Sequence, residues 1–380
     1  MSCDFAALAN AGIRGLSPYQ AGKPEAELRR EYGLDHIVAL AANENPLGPS
    51  PGAVAAAKEV LGRAARYPEG GGGEFKHQVA RHHGVEPSCV VLGNGSNEIL
   101  ELLARAFLGP ERGAVYSRHS FAVYALATQG AGAVPQVAPP NPADHPMPYG
   151  QDLAAMAAQV DATTRLVFIA NPNNPTGTWH TEAELTAFLA AVPGDVLVVV
   201  DEAYFDYGVD HRDYPDASRW LARYPNLVVT RSFSKAHGLA GLRVGYGLAH
   251  PQVAELLNRT RQPFNVSAPA LAAAAAALAD REHMEKSRAV NRAGRDFLCR
   301  IFDQWGRRYL PVGGNFITVA LGVPGRQVFE ALLPKGVIVR PLAYYGLEDF
   351  VRITIGTEGE NRRLVAALAE VLDLDAPGGL

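Results

Sequence analysis

Five side chains stand in an order that could hold and activate a small phosphorylated aromatic aldehyde. Lys235 lies in Ser232-Phe233-Ser234-Lys235. Asn171-Pro172-Asn173-Asn174-Pro175-Thr176-Gly177 and Asp201-Glu202-Ala203-Tyr204 precede it, and Gly241-Leu242-Arg243-Val244-Gly245 follows. An amine attacks a carbonyl only when unprotonated, so Lys235 needs burial or a neighbouring cation to lose its proton near neutrality. Arg243, eight positions on (243 − 235), offers both positive charge and a clamp for phosphate. Asp201 follows the apolar run Val196-Leu197-Val198-Val199-Val200. A carboxylate there needs a cationic partner.

A protonated pyridine nitrogen would be such a partner, and the pairing would keep the ring an electron sink. Tyr204 and Asn174 could both donate to a phenolic oxygen on the same ring. These are the groups that pyridoxal 5′-phosphate (PLP) requires. Each has a plainer reading alone: a solvated lysine, an aspartate capping the next element, a Pro-Thr-Gly turn. Their succession carries the signal.

Gly93-Asn94-Gly95-Ser96-Asn97-Glu98 lies between a predicted strand and a predicted helix, where backbone N–H groups can cradle a phosphate. A dinucleotide fingerprint would need glycine where Glu98 stands, and no Gly-Lys-Ser/Thr follows to make a Walker loop. Ser96 could cap that helix, touch phosphate, or both. Phe121 is a candidate to stack on the ring, with a place in the core as its other reading.

The elements that must position these groups follow from apolar patterning. Val90-Val91-Leu92, Leu166 to Ala170, Val196 to Val200 and Leu227 to Thr230 read as strands, the third as one buried on both faces. Helical segments run from Ser96 to about Leu108 and near Glu182 to Ala190. Alternating strands and helices predict an α/β unit with a mostly parallel sheet flanked by helices. Its strands would end where the motifs begin, as ligand sites in open α/β sheets require. Beyond about residue 255 the text turns to a long helical stretch, short strands near 316–319, 337–339 and 351–355, and a last helix from about Glu358 to Val371. This predicts a large domain over 45–255 and a smaller α+β domain from 256–380 and the N-terminal arm, 1–44.

Composition narrows the function. Among 380 residues, 35 Lys and Arg against 39 Asp and Glu give a net charge of −4, with no basic face or tail for nucleic acid. Cys3, Cys89 and Cys299 are scattered and odd in number, without metal-ligand spacing, as expected of reduced thiols in the cytoplasm. The start of the chain has no signal-peptide pattern. Ala268 to Ala279 is apolar but short and interrupted by Pro269, so it predicts a packed helix of the smaller part rather than a membrane span, which needs about 20 residues.

The chain resembles fold-type I PLP-dependent aminotransferases, and is most similar to the histidinol-phosphate aminotransferases. The resemblance spans nearly the whole length. It is carried by Ser17-Pro18-Tyr19, Ala42-Asn43-Glu44-Asn45-Pro46, Arg66-Tyr67-Pro68, Gly95-Ser96-Asn97-Glu98, the motifs around Asn174, Asp201, Lys235 and Arg243, and Val351-Arg352-Ile353. It implies that Lys235 is the Schiff-base lysine, Asp201 the pyridine partner, and Asn174 and Tyr204 the groups on the phenolic oxygen. Gly95, Ser96, Asn97, Ser232 and Arg243 would form the phosphate cup, and Phe121 would stand where the family usually stacks a tyrosine.

Tyr67 would reach the cofactor phosphate of a neighbouring subunit, implying a homodimer with shared sites. Tyr19, Asn43, Arg340 and Arg352 would contact substrate. The implied reaction takes L-histidinol phosphate and 2-oxoglutarate to imidazole acetol phosphate and L-glutamate. An aromatic amino-acid aminotransferase and a threonine-phosphate decarboxylase are the rival activities. A ligand sensor fused to a DNA-binding module would need a basic extension, which is lacking. Gly70 to Gly73 departs from the family's usual one or two glycines, and His119 has no role in the pattern.

Overall fold

A computed structural model describes residues 3–18 and 22–375, so Tyr19 lies outside the described residues. The central sheet has seven strands, in the spatial order Val90–Gly93, Gly245–Leu248, Leu227–Ser232, Leu197–Asp201, Thr164–Ala170, Gly113–Ser117 and Val134–Ala138. All are parallel except Gly245–Leu248, which opposes both neighbours.

The β-branched runs are buried because both sheet faces are covered. Val167, Ile169, Val198, Val200 and Val229 enter one core with Ala53, Phe75 and Val79. The alternate residues Leu166, Phe168, Leu197, Val199 and Val228 enter a second core with Ile99, Leu100 and Leu103 of the helix Ser96–Phe107. The expected mostly parallel sheet with flanking helices is the fold observed.

A second, antiparallel sheet orders Arg340–Pro341, Phe350–Thr354, Phe316–Ala320 and Arg308–Tyr309. It shares a core with Leu298, Ile301 and Phe302 of the long helix Arg281–Gln304, and with Leu364, Val365 and Leu368 of the last helix, Glu358–Leu372. A capping box between Thr357 and Glu360 starts that last helix. The N-terminal arm joins here, Val38–Ala39 pairing in parallel with Val337–Ile338.

The alanine-rich helix Ala268–Ala279 departs from expectation. Ala270, Ala273, Ala274 and Ala277 pack into the core of the seven-stranded sheet, against Pro51–Leu61, and not with the four-stranded sheet. Side chains of one carbon let the two helix backbones approach closely. Among the described residues no helix is long and apolar enough to cross a membrane.

Candidate active site

The parallel strands deliver Gly93, Ser117, Ala170, Asp201 and Ser232 to one edge of the sheet. The loops beyond that edge, the arm at Ala41–Glu44 and the arginines of the small sheet enclose a cavity of about 360 Å3. Its walls include Ser96, Asn97, Phe121, Asn174, Asp201, Tyr204, Ser232, Lys235, Arg243, Asn43, Arg340 and Arg352. A wider depression of about 880 Å3 beside His237 and Arg231 holds neither Lys235 nor Asp201. The chemistry, not the size, singles out the smaller one.

Asp201 is buried at the strand end, and both its oxygens are held. Tyr124 donates its hydroxyl to Oδ2 and Thr230 donates to Oδ1, each at 2.8 Å. Burial raises the carboxyl above its usual range, while these donors and the charge of Lys235 pull it down. A cation placed against Asp201 would therefore find a fixed, desolvated acceptor. Tyr124 is fully buried and stacks face to face on Phe168, with 4.9 Å between ring centres.

Lys235 is partly buried on the same cavity wall; Nζ donates to the Ala42 carbonyl at 3.0 Å and lies 5.6 Å from the centre of the Tyr204 ring. The Tyr204 hydroxyl accepts from Asn43 Nδ2 at 2.8 Å, which leaves its own proton to be given into the cavity. Burial pushes that phenol's pKa up, so it stays a donor. Asn43 thus braces Tyr204 as well as lining the pocket, from a backbone at φ 56°.

Arg243 and the Gly95 turn lie against one another at the cavity, where they could hold an anion. A β-carbon on Gly95 would stand 2.5 Å from Arg243 Nη2, and Gly95 has φ +80°. Glycine is required there on both counts. The helix Ser96–Phe107 is capped at Gly95 and not by Ser96, so the Ser96 hydroxyl is not spent on its own helix. Instead Glu98 accepts from the Asn94 N–H at 2.6 Å. Asn97 lines the cavity while donating to Glu101 at 2.7 Å. Ser232 accepts from the Ser234 N–H at 3.0 Å, and Ser234 in turn accepts from Arg243 at 3.1 Å.

Across the cavity, Arg352 is buried, with Nη1 donating to Asn174 Oδ1 at 2.6 Å and Nη2 to the Ala41 carbonyl at 2.7 Å. Its Nε is buried without a partner. Arg340 stands directly opposite on the neighbouring strand. Two guanidinium groups side by side in a buried wall are unfavourable unless an anion joins them.

Tyr67 is the exception among the described site residues. It lies outside the cavity, 82% exposed, stacked on Phe264 with 4.6 Å between centres. The glycine run beneath it has a local cause. Gly72 and Gly73 both have positive φ, and a β-carbon on Gly72 would meet Leu92 Cδ1 at 2.1 Å.

Residues 35–368 match the aminotransferase class I and II family. The chain belongs to that family. It is 50% identical to histidinol-phosphate aminotransferase 1 of Nitrosococcus oceani, over 97% of this chain and 98% of that protein. It is 54% identical to histidinol-phosphate aminotransferase 2 of Pseudomonas fluorescens, over 98% and 99%. Among solved structures, histidinol-phosphate aminotransferase from Sinorhizobium meliloti, in complex with pyridoxal 5′-phosphate, superposes with a TM-score of 0.87 at 30% identity. That match covers 96% of this chain and 97% of the other.

The cavity of this aminotransferase fits PLP on its own evidence. A buried acceptor at Asp201, a side-chain-free turn facing Arg243 and an amine on the same cavity wall suit a ring nitrogen, a phosphate and an aldehyde. Sequence reasoning missed Tyr124 and Thr230, the two donors that fix Asp201. Tyr124 lies in the first turn of the helix Ala122–Gly130, which Phe121 precedes as its N-terminal cap residue. Tyr124→Phe is expected to weaken cofactor retention about tenfold, the worth of one hydrogen bond to a charged group. Equilibrium dialysis against free PLP measures it.

Proposed function

We propose that this aminotransferase moves the amino group of L-histidinol phosphate to 2-oxoglutarate, forming imidazole acetol phosphate and L-glutamate in histidine biosynthesis, with PLP as cofactor. The observation that carries the substrate assignment is the opposed pair Arg340 and Arg352, with Arg352 Nε unpartnered. One substrate brings a phosphate and the other carboxylates, and a planar guanidinium fork accepts either. The names of the relatives at 50% and 54% identity support the same choice.

Bound PLP supplies an electron sink for the negative charge that develops at the substrate's Cα. The remaining work belongs to the chain. Asp201, held by Tyr124 and Thr230, keeps negative charge facing the ring nitrogen. Tyr204 and Asn174 offer donors on one side of the ring, and Phe121 offers an aromatic face. Arg243, Ser232 and the Gly95–Asn97 turn anchor the phosphate. The Lys235 amine serves as general base for the Cα proton. Arg340 and Arg352 hold the far anion and so orient the bond to be broken.

Tyr67, exposed and braced by Phe264, supports a homodimer in which each subunit lends this ring to the other's site. Two domains are proposed, split as the two sheets suggest, with the alanine helix Ala268–Ala279 assigned to the larger. A cytoplasmic location accords with three free thiols, Cys3, Cys89 and Cys299.

Turnover of L-histidinol phosphate against L-phenylalanine, each with 2-oxoglutarate, tests the reading. Preference for the phosphate by roughly a hundredfold in kcat/KM is expected, since a site built for a polar group rejects substrates lacking it. Equal or reversed preference would assign an aromatic aminotransferase, and carbon dioxide release from threonine phosphate would assign the decarboxylase. Arg352→Ala should raise KM for histidinol phosphate and for 2-oxoglutarate together, by about 10- to 100-fold, the loss of a charge-assisted bond. Unchanged constants for both would make Arg352 a structural residue.

A further inference from the structure

His119 has no part in the chemistry above, yet it is buried where three segments of the site meet. Its Nδ1 lies 2.6 Å from the Tyr345 carbonyl. A carbonyl only accepts, so Nδ1 carries the proton and the imidazole is the donor. Burial lowers its pKa, which favours the neutral ring. The His119 backbone carbonyl accepts from Asn173 Nδ2 at 2.8 Å, and Asn173 adjoins Asn174. Phe121 follows two residues later.

Tyr345 belongs to the turn after the strand Arg340–Pro341, five residues beyond Arg340 (345 − 340). That turn closes on itself through Tyr345 N–H to the Leu342 carbonyl at 2.9 Å and Gly346 N–H to the Ala343 carbonyl at 2.9 Å. Gly346 has φ +71°, and a β-carbon there would stand 3.5 Å from the His119 ring. The imidazole therefore fits closely against the turn, and it also meets the Tyr149 ring edge-on at 6.0 Å between centres.

The geometry points to His119 as a positioning residue that pins the turn behind Arg340 to the cofactor edge of the large sheet, setting the distance from Arg340 to the ring-holding loops. The inference rests on Arg340 binding the substrate's anion, as proposed above. Lys235, Asp201 and Arg243 sit on other loops and do not depend on this bond. Its loss should therefore act on substrate binding more than on the chemical step.

The test compares His119→Leu and His119→Ala, which remove the donor with and without the bulk, with His119→Asn, whose amide nitrogen replaces Nδ1 at the same reach. Leu and Ala should raise KM for histidinol phosphate about tenfold, with kcat within about threefold, a loss of binding without loss of catalysis. Asn should restore KM. If one apolar variant fails to fold, the other is read. Unchanged KM in the apolar variants, an Asn variant as impaired as Leu, or a fall in kcat alone overturns the proposal. Amide exchange supplies a readout independent of substrate: Tyr345, Gly346 and Leu347 should lose protection in Leu and Ala and regain it in Asn. Unaltered exchange refutes the pin even if the true substrate is another amine. Arg340→Ala serves as control, because an unmoved KM there faults the substrate reading and not His119.

Discussion

Lys235→Ala is expected to abolish amino transfer and to remove the visible absorbance of the lysine-linked cofactor. On the roles proposed for Lys235, the variant deletes both the amine that would join the cofactor and the base that would take the Cα proton. General-base catalysis alone is worth about 10²- to 10⁴-fold, so turnover should fall by at least about two orders of magnitude, and further for the lost covalent link. The fold should survive, because the side chain is only partly buried and its bond goes to the Ala42 carbonyl at the cavity wall. PLP should still bind through Asp201, Arg243 and Ser232, without the covalent link. Absorbance spectra and an assay of glutamate formation decide the matter. Persistent colour with turnover would mean that another amine does the work.

The second large effect concerns stability, and it sits behind the site. Arg231 donates to Glu202 through Nε at 3.0 Å and Nη2 at 2.8 Å, reaches Asp216 at 2.7 Å, and lies 3.3 Å above the Phe205 ring. The Glu202 side chain is 0% exposed. Burial raises its carboxyl even with the guanidinium against it. Arg231→Leu strands that carboxylate, and breaking a buried pair from one side costs about 3–5 kcal/mol. Urea unfolding should show the loss. Arg231→Leu combined with Glu202→Leu should lose less than Arg231→Leu alone, because the fully buried carboxylate is gone, while Asp216 is partly exposed and keeps Arg219 at 3.6 Å. A double variant worse than the sum of the singles would contradict this account. The pair also bears on the site: Glu202 and Arg231 directly adjoin Asp201 and Ser232, so it ties together the two strand ends that present those residues to the cavity.

Much of the site was legible because its chemistry falls in contiguous motifs just past strongly apolar strands. Asp201 after Val196 to Val200 and Lys235 after Leu227 to Thr230 needed no tertiary information. What escaped depends on contacts distant in sequence. Tyr124 reaches Asp201 from 77 residues away and Thr230 from the directly opposed position of the neighbouring strand, pairings that only the tertiary fold creates. The strand Gly245–Leu248 was hidden by its own glycines. A β-carbon on Gly245 would lie 2.4 Å from Ser96 N, and one on Gly247 would lie 2.8 Å from Ile99 Cγ2. Close passage of the helix Ser96–Phe107 over this strand excludes the β-branched residues that would have announced it. The alanine helix was misplaced for a related reason. Its periodicity names no partner, and only the fit against Pro51–Leu61 does.

The bond from Arg352 to Asn174 constrains any effort to redesign specificity. With Oδ1 engaged by the guanidinium, the Asn174 amide has one orientation, its nitrogen remaining as the end that can donate to a cofactor oxygen. Swapping Arg352 to admit an uncharged amine would release that amide to rotate, so a change meant for the substrate would also disturb the cofactor's electronics. Variants retargeted to new amines should therefore be sought first at Arg340, which lines the same wall without that tie to Asn174.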